Sequence, residues 1–410
     1  MAVELVGYRY PAPPYRAPAF SVPTEKSREF FWCAGKKQYT AGRTIRRHNA
    51  EVIRADLGEK MVFVTGPRQI GKTTLAKSLV SGPGYLSWDI PAQRELILRR
   101  EIPAVDLLVL DEIHKYRSWR QYLKGLYDER GEGLRILVTG SAHLDAYRRG
   151  GDSLQGRYHM HRVPPLSVAE LGDSSALDTL LTLGGFPEPF LSGSERSARR
   201  WSLEYRTRLV HEEITSLEQI VDLGNLELLA IRLPELVGSP LSLNALREDL
   251  NVSHDSVSRW IAAIERLYGL VRISPFGAPK IRAVKKAQKH YLFDWTQVPG
   301  LPQRFENLLA MALLKWVDYQ HDAEGRDLEL RYFRDVDGRE VDFVVTENRK
   351  PIQFVEAKWS DGPADKSLKY LCARFPDVEA WQVSATGTKD VVTREGIRLA
   401  PAARLLEQLV

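Results

Sequence analysis

An α/β fold is predicted, with a parallel sheet covered by helices on both faces and more helical modules after it, on three observations. Short β-branched apolar runs alternate with helical-length segments between residues 46 and 167. One of those runs leads directly into a glycine-rich loop that ends in lysine and threonine. The 410 residues, 43% apolar and 27% charged, suit roughly two to four domains rather than one. The formal charge of +5 and the even composition exclude collagen, coiled coil and acidic tail. Cys33 and Cys372 are too few for a thiolate zinc cluster or a disulfide framework and point to a reducing cytoplasm. The most apolar stretch, Leu308 to Val317, contains Lys315 and is about half the ~20 residues of a membrane span, so no contact with a bilayer is expected.

Residues 1–45 carry Pro11, Pro13, Pro14, Pro18 and Pro23, which stop a helix and disfavour a central strand. They read as a flexible or surface-draped extension without the cationic start or apolar core of a secretory signal. Residues 46–167 hold the predicted strands Met61–Thr65, Tyr85–Asp89, Leu107–Asp111 and Ile136–Gly140. The loop Gly66-Pro67-Arg68-Gln69-Ile70-Gly71-Lys72-Thr73 fits G-x-x-x-x-G-K-[ST] between a strand and a helix that continues through Thr74. Its glycines let successive backbone N–H groups turn toward a phosphate, and the helix start adds partial positive charge. Lys72 is expected on the β and γ phosphates of ATP and Thr73 on Mg²⁺. The strand ending in Asp111-Glu112 supplies the partner carboxylates, Asp111 for the Mg²⁺ shell and Glu112 to polarise the attacking water.

The fourth run ends at the same sheet edge, which makes Thr139 or Ser141 a sensor of the γ-phosphate. Arg148, Arg149 and Arg157 crowd a glycine-rich loop, and Arg157 is the foremost candidate for an arginine finger, a group often supplied by a neighbouring subunit of a homo-oligomer. His159 and His161 alternate on a further strand and lack a third metal ligand nearby, so they read as surface residues.

Together, Gly66–Thr74, Leu110-Asp-Glu-Ile113, Val138-Thr-Gly-Ser-Ala142, Ser153-Leu-Gln-Gly-Arg157, Pro165-Leu-Ser167 with Glu170, and Gly184-Gly-Phe-Pro-Glu188 resemble the prokaryotic AAA-type P-loop ATPases. More narrowly they resemble the group whose C-terminal half is a domain of unknown function similar to PD-(D/E)xK nucleases. The resemblance spans residues 46 to about 400. It implies an ATP-hydrolysing module, a winged-helix segment and a C-terminal α/β domain of restriction-endonuclease type. Ser141-Ala142-His143 departs from the longer serine run usual in that group.

Residues 168–240 read as a helical connecting region broken at Gly184–Pro187. Residues 241–295 read as helix (Leu241–Leu250), turn, helix (His254–Leu267), then a strand and a basic run of Lys280, Arg282, Lys285, Lys286 and Lys289, as a winged helix would. Val257, Ile261, Ile264 and Leu267 share one face, which leaves Ser253, His254, Asp255, Ser258 and Arg259 outward. DNA is the expected partner, with protein docking the alternative. In residues 296–410, Asp342 and Glu356-x-Lys358 lie on a predicted strand pair and Glu306 on the apolar helix before it. The pattern resembles a PD-(D/E)xK core, in which Glu306, Asp342 and Glu356 would hold a divalent cation and Lys358 would position water. Whether such a site still cleaves DNA or only binds it is left open by the residues themselves.

Overall fold

The computed structural model describes residues 45–129, 133–140, 154–215, 222–277 and 288–409. The expected N-terminal extension, Ser141, Arg148, Arg149, and Lys280 through Lys286 therefore lie outside the described residues, apart from residue 45 at the extension's end.

Five short strands form the first sheet: β1 Met61–Thr65, β2 Tyr85–Ser87, β3 Leu107–Asp111, β4 Arg135–Thr139 and β5 Tyr158–Arg162. Their order is β2-β3-β4-β1-β5, and every neighbouring pair is parallel. β1 and β3 are buried along their whole length, which is why they read as continuous apolar runs rather than as alternation. Met61, Phe63, Leu108, Leu110, Ile136 and Val138 pack on one side with Trp119, Tyr122 and Leu123 of the helix Trp119–Glu129. Val62, Val64, Val109 and Leu137 face the other way, onto Leu75 of the helix Lys72–Leu79. That second core runs on without a break through Trp201, Ile261 and Leu313 to Leu409.

The connecting region is helical as expected: Ala176–Leu183, Pro187–Ser192, Glu195–Arg208, a π-helical turn Leu209–Ile214, and Leu223–Arg232. Leu243–Leu250 and His254–Arg266 form the anticipated helix pair, with the Ser242 and Ser253 hydroxyls capping their starts. Val257, Ile261, Ile264 and Leu267 are buried, while Ser253, His254, Asp255 and Arg259 are exposed.

Eight strands form the second sheet: β6 Leu270–Pro275, β7 Lys289–Leu292, β8 Leu328–Arg334, β9 Glu340–Glu347, β10 Lys350–Lys358, β11 Glu379–Ser384, β12 Val391–Val392 and β13 Ile397–Pro401. The order is β12-β13-β11-β10-β9-β8-β6-β7. β9 and β10 pair antiparallel around Asn348-Arg349, both at positive φ as a tight two-residue hairpin requires. The strands after the helix pair are thus not a free-standing wing. β6 joins β8 through Ser274 opposite Arg331, so a boundary at residue 295 cuts across one sheet. The long helix Leu301–Glu324 covers it, and no described helix is long and apolar enough to cross a membrane.

Candidate nucleotide site

Parallel strands place their carboxyl ends along one edge, so the loops after β1, β3 and β4 converge there. Gly66 follows β1 at φ 142°, and a Cβ on it would lie 2.5 Å from the Val163 carbonyl oxygen. Gly71 caps the helix Lys72–Leu79 at φ 95°. Both positions therefore need glycine, and the backbone between them wraps the helix start. Lys72 turns back under the loop, donating to the carbonyls of Gly66 (3.0 Å) and Pro67 (2.7 Å). Its burial pushes the ammonium down to about 8, an effect opposed by the Glu112 and Asp111 carboxylates.

Thr73 Oγ1 donates to Asp111 Oδ2 at 3.1 Å. The hydroxyls of Thr139 and Tyr85 also bond to Asp111, at Oδ1 and Oδ2 respectively. Thr139 is wholly buried and engaged with Asp111. Glu112 sits at φ 58° with its N–H on the Thr139 carbonyl. Its Oε2 lies 3.3 Å from Lys115 Nζ and 3.6 Å from His114 Nε2. Burial raises its pKa, against the pull of Lys115 and Lys72.

These groups open on a cavity of about 960 Å³ bounded by Arg68, Gln69, Thr74, Glu112 and Glu213. Pro187, Glu188 and Leu191 wall it from the helical region, which gives the Gly184–Glu188 motif its role: Phe186 is fully buried, 4.7 Å from the Trp201 ring, and holds Pro187 over the loop. Arg68 NH1 reaches Glu213 Oε1 at 3.4 Å, and Arg208 NH2 donates to Gln69 Oε1 at 3.0 Å. Tyr85, Arg208 and Glu213 were not anticipated. They belong to no local motif and enter through chain packing alone. A second cavity of about 430 Å³ adjoins the first, shares Gly71, Thr74, Pro187 and Leu191 with it, and is lined by Ile45, Ala50, Leu75, Ser78 and Leu166.

Arg157 is not in this site. It immediately precedes β5, whose Tyr158 pairs with Met61 at the start of β1 in parallel register, so it lies at the sheet edge opposite the phosphate loop. Five residues at ~3.3 Å each separate the two edges, about 16 Å. Its Nε donates to Asp128 at 2.9 Å instead. Within one chain Arg157 therefore does not reach the phosphate loop. His161 also differs from expectation: it is buried, with Nε2 2.7 Å from Asp56.

A family model described as an AAA domain matches residues 58–172. That segment is a P-loop domain of the ATPase type. Two models described as domains of unknown function, DUF8612 and DUF4143, match residues 174–297 and 303–405, and neither description names a nuclease. Uncharacterized proteins of Mycobacterium tuberculosis and Mycobacterium bovis are 25% identical over 239 residues, covering 57% of this chain and 54% of each relative. The chain thus spans about half the length of the curated relatives it matches. A Walker-type ATPase of Pyrococcus abyssi superposes at TM-score 0.39 with 13% identity over 67% of this chain and 98% of that one. So loose a superposition carries no weight for function.

The C-terminal acids do meet, but around an ammonium group. Lys289, expected on a solvated wing, is 1% exposed, and its Nζ lies 2.6 Å from Glu340, 3.7 Å from Glu306 and 3.8 Å from Asp342. Glu356 accepts from Lys358 Nζ (2.7 Å) and from the Asp342 N–H (3.2 Å). Burial foremost raises the pKa of Glu306, Asp342 and Glu356; the Asp342 carboxylate is the next cause for the two glutamates. Among the described residues no group of three or more His, Cys, Asp or Glu is placed to hold a metal ion. The described part of residues 242–291 has five basic and four acidic side chains, and with Lys289 buried its outward charge is close to balanced.

Proposed function

We propose that this chain is a Mg²⁺-dependent ATPase whose phosphate loop, Asp111 and Glu112 form the hydrolytic site. The observation that carries the reading is the Thr73–Asp111 hydrogen bond beside Lys72, because a hydroxyl and a carboxylate meeting at a phosphate loop are the donor set a nucleotide-bound Mg²⁺ takes. Thr73 and Asp111 would hold the ion, which would supply positive charge to offset that of the phosphates. Lys72, freed from the Gly66 and Pro67 carbonyls, would contact the terminal phosphates. Backbone N–H groups from Arg68 to Thr74 would cradle them, and Glu112 would take the proton from the attacking water. The wider cavity suits the phosphates, and the adjoining one, where Ile45, Leu75 and Leu166 line a floor beside Arg46, Arg47 and Arg54, suits the nucleobase. Replacing the exposed Ser78 by Trp is expected to fill the second cavity and weaken ATP binding while leaving Lys72 and Glu112 untouched, as read by nucleotide titration.

We infer further that nucleotide state is passed to the helix pair 243–266 through the Arg68–Glu213 and Gln69–Arg208 contacts, since Glu213 lies on the π-helical turn Leu209–Ile214, whose Leu209 closes on Gly269 together with Ile264 of that pair. DNA is the proposed partner, contacted by Ser253, His254 and Arg259 and by the basic residues 280–286. Turnover stimulated by double-stranded DNA and losing that stimulation as salt rises supports this. Turnover indifferent to DNA at every salt concentration removes DNA as the partner.

A further inference from the structure

We propose that Lys289 is the resident cation of the C-terminal carboxylate site, which therefore holds its half-buried acids together without a divalent metal. The arrangement implied by the PD-(D/E)xK resemblance does not fit what surrounds these side chains. Lys289 opens β7, and its position is fixed on both sides: Leu241 N–H bonds the Gln288 carbonyl at 2.8 Å, and Ile273 of β6 pairs with Lys289 itself. From there the ammonium enters between Glu306 of the long helix and Glu340 and Asp342 of β9, 5.2 Å above the Tyr332 ring.

The acids are engaged on their other faces as well. Glu306 Oε1 accepts from the Tyr291 hydroxyl at 2.7 Å. Gly238, at φ 79°, presses against the same carboxyl, where a Cβ would come within 2.9 Å of Oε2. Asp342 Oδ2 accepts from the Ala357 N–H at 2.9 Å. Glu356 is taken by Lys358, which also reaches Asp365 Oδ2 at 3.1 Å. A divalent cation needs several oxygen ligands at 2.0 to 2.6 Å or so, free of competing donors, and an ammonium among them adds like-charge repulsion. A buried lysine in turn stays charged only because carboxylates surround it, so Lys289 and its acids require one another. The pairing fastens the last strand of the helix-pair segment to the C-terminal sheet.

Mn²⁺ titration of the nucleotide-free protein, read by electron paramagnetic resonance, tests this independently of ATP hydrolysis. Wild type and Asp342→Asn are expected to bind the same number of ions, since any at Asp111 cancels in the comparison. Lys289→Met should gain a Mn²⁺ that is lost again in the Lys289→Met, Asp342→Asn double variant. A wild-type protein binding one more Mn²⁺ than Asp342→Asn overturns the proposal, as does a Lys289→Met variant with native circular dichroism that gains none. If Lys289→Met does not fold, the wild-type and Asp342→Asn comparison decides alone.

Discussion

Glu112 stands between a buried environment that raises its pKa and two cations, Lys115 and Lys72, that lower it. As a general base it must be ionised, so turnover falls when acid protonates it. Removing Lys115 takes away one lowering influence, and Lys115→Met should therefore move the acid limb of the kcat profile to higher pH; an unmoved limb removes Glu112 as the titrating base. Lys72 works in the opposite direction. Its ammonium, pushed down to about 8 by burial, loses its proton as pH rises through that value, so ATP affinity in the free protein should weaken by up to about tenfold per pH unit above it. Nucleotide titrations from pH 7 to 9 check the sign. These residues were legible because the loop and the strand-end carboxylates are short, local patterns.

At the level of elements, the parallel sheet sorts the expected residues by which end of a strand they occupy. Lys72, Thr73, Asp111 and Glu112 follow strand carboxyl ends and converge, whereas Arg157 precedes β5 and is carried to the far edge. Arg157→Ala should accordingly leave the turnover of the isolated chain unchanged, and a clear loss of rate in dilute protein contradicts this placement. Gly66→Ala should abolish nucleotide binding, because no shift of a flexible tip can relieve a Cβ set 2.5 Å from the Val163 carbonyl; equilibrium titration against wild type is the check. The strands, the helix pair and the hairpin were readable from periodicity and caps. The destination of Lys289 was not: in the sequence it continues a basic run, and only the pairing of β6 with β8 turns it inward. Tyr85 and Glu213 reach the site in the same way, through packing that leaves no local trace.

Across the whole molecule the phosphate loop is tied to the C-terminal half by buried charge. Glu170, with no exposed side-chain surface, joins Arg47, His48 and Lys315. Arg47 NH1 continues to the Ile70 carbonyl of the loop at 3.2 Å, and Lys315 belongs to the helix Leu301–Glu324. Arg162 of β5 meets Asp318 and Asp322 on the same helix. Glu170→Ala would leave buried Arg47 without its carboxylate and let Lys315, pushed down to about 7 by burial even beside Glu170, lose its proton, so a lower thermal midpoint is expected. A midpoint equal to wild type would deny the joint its role. The account as a whole stands on the phosphate loop being a working hydrolytic site. Phosphate release from ATP with Mg²⁺, by wild type, Lys72→Ala and Glu112→Gln, tests that most directly. The expected result is steady turnover in wild type, none above background in Lys72→Ala, and a loss of about 10² to 10⁴ in Glu112→Gln with ATP still bound. Equal phosphate release from all three proteins would contradict it.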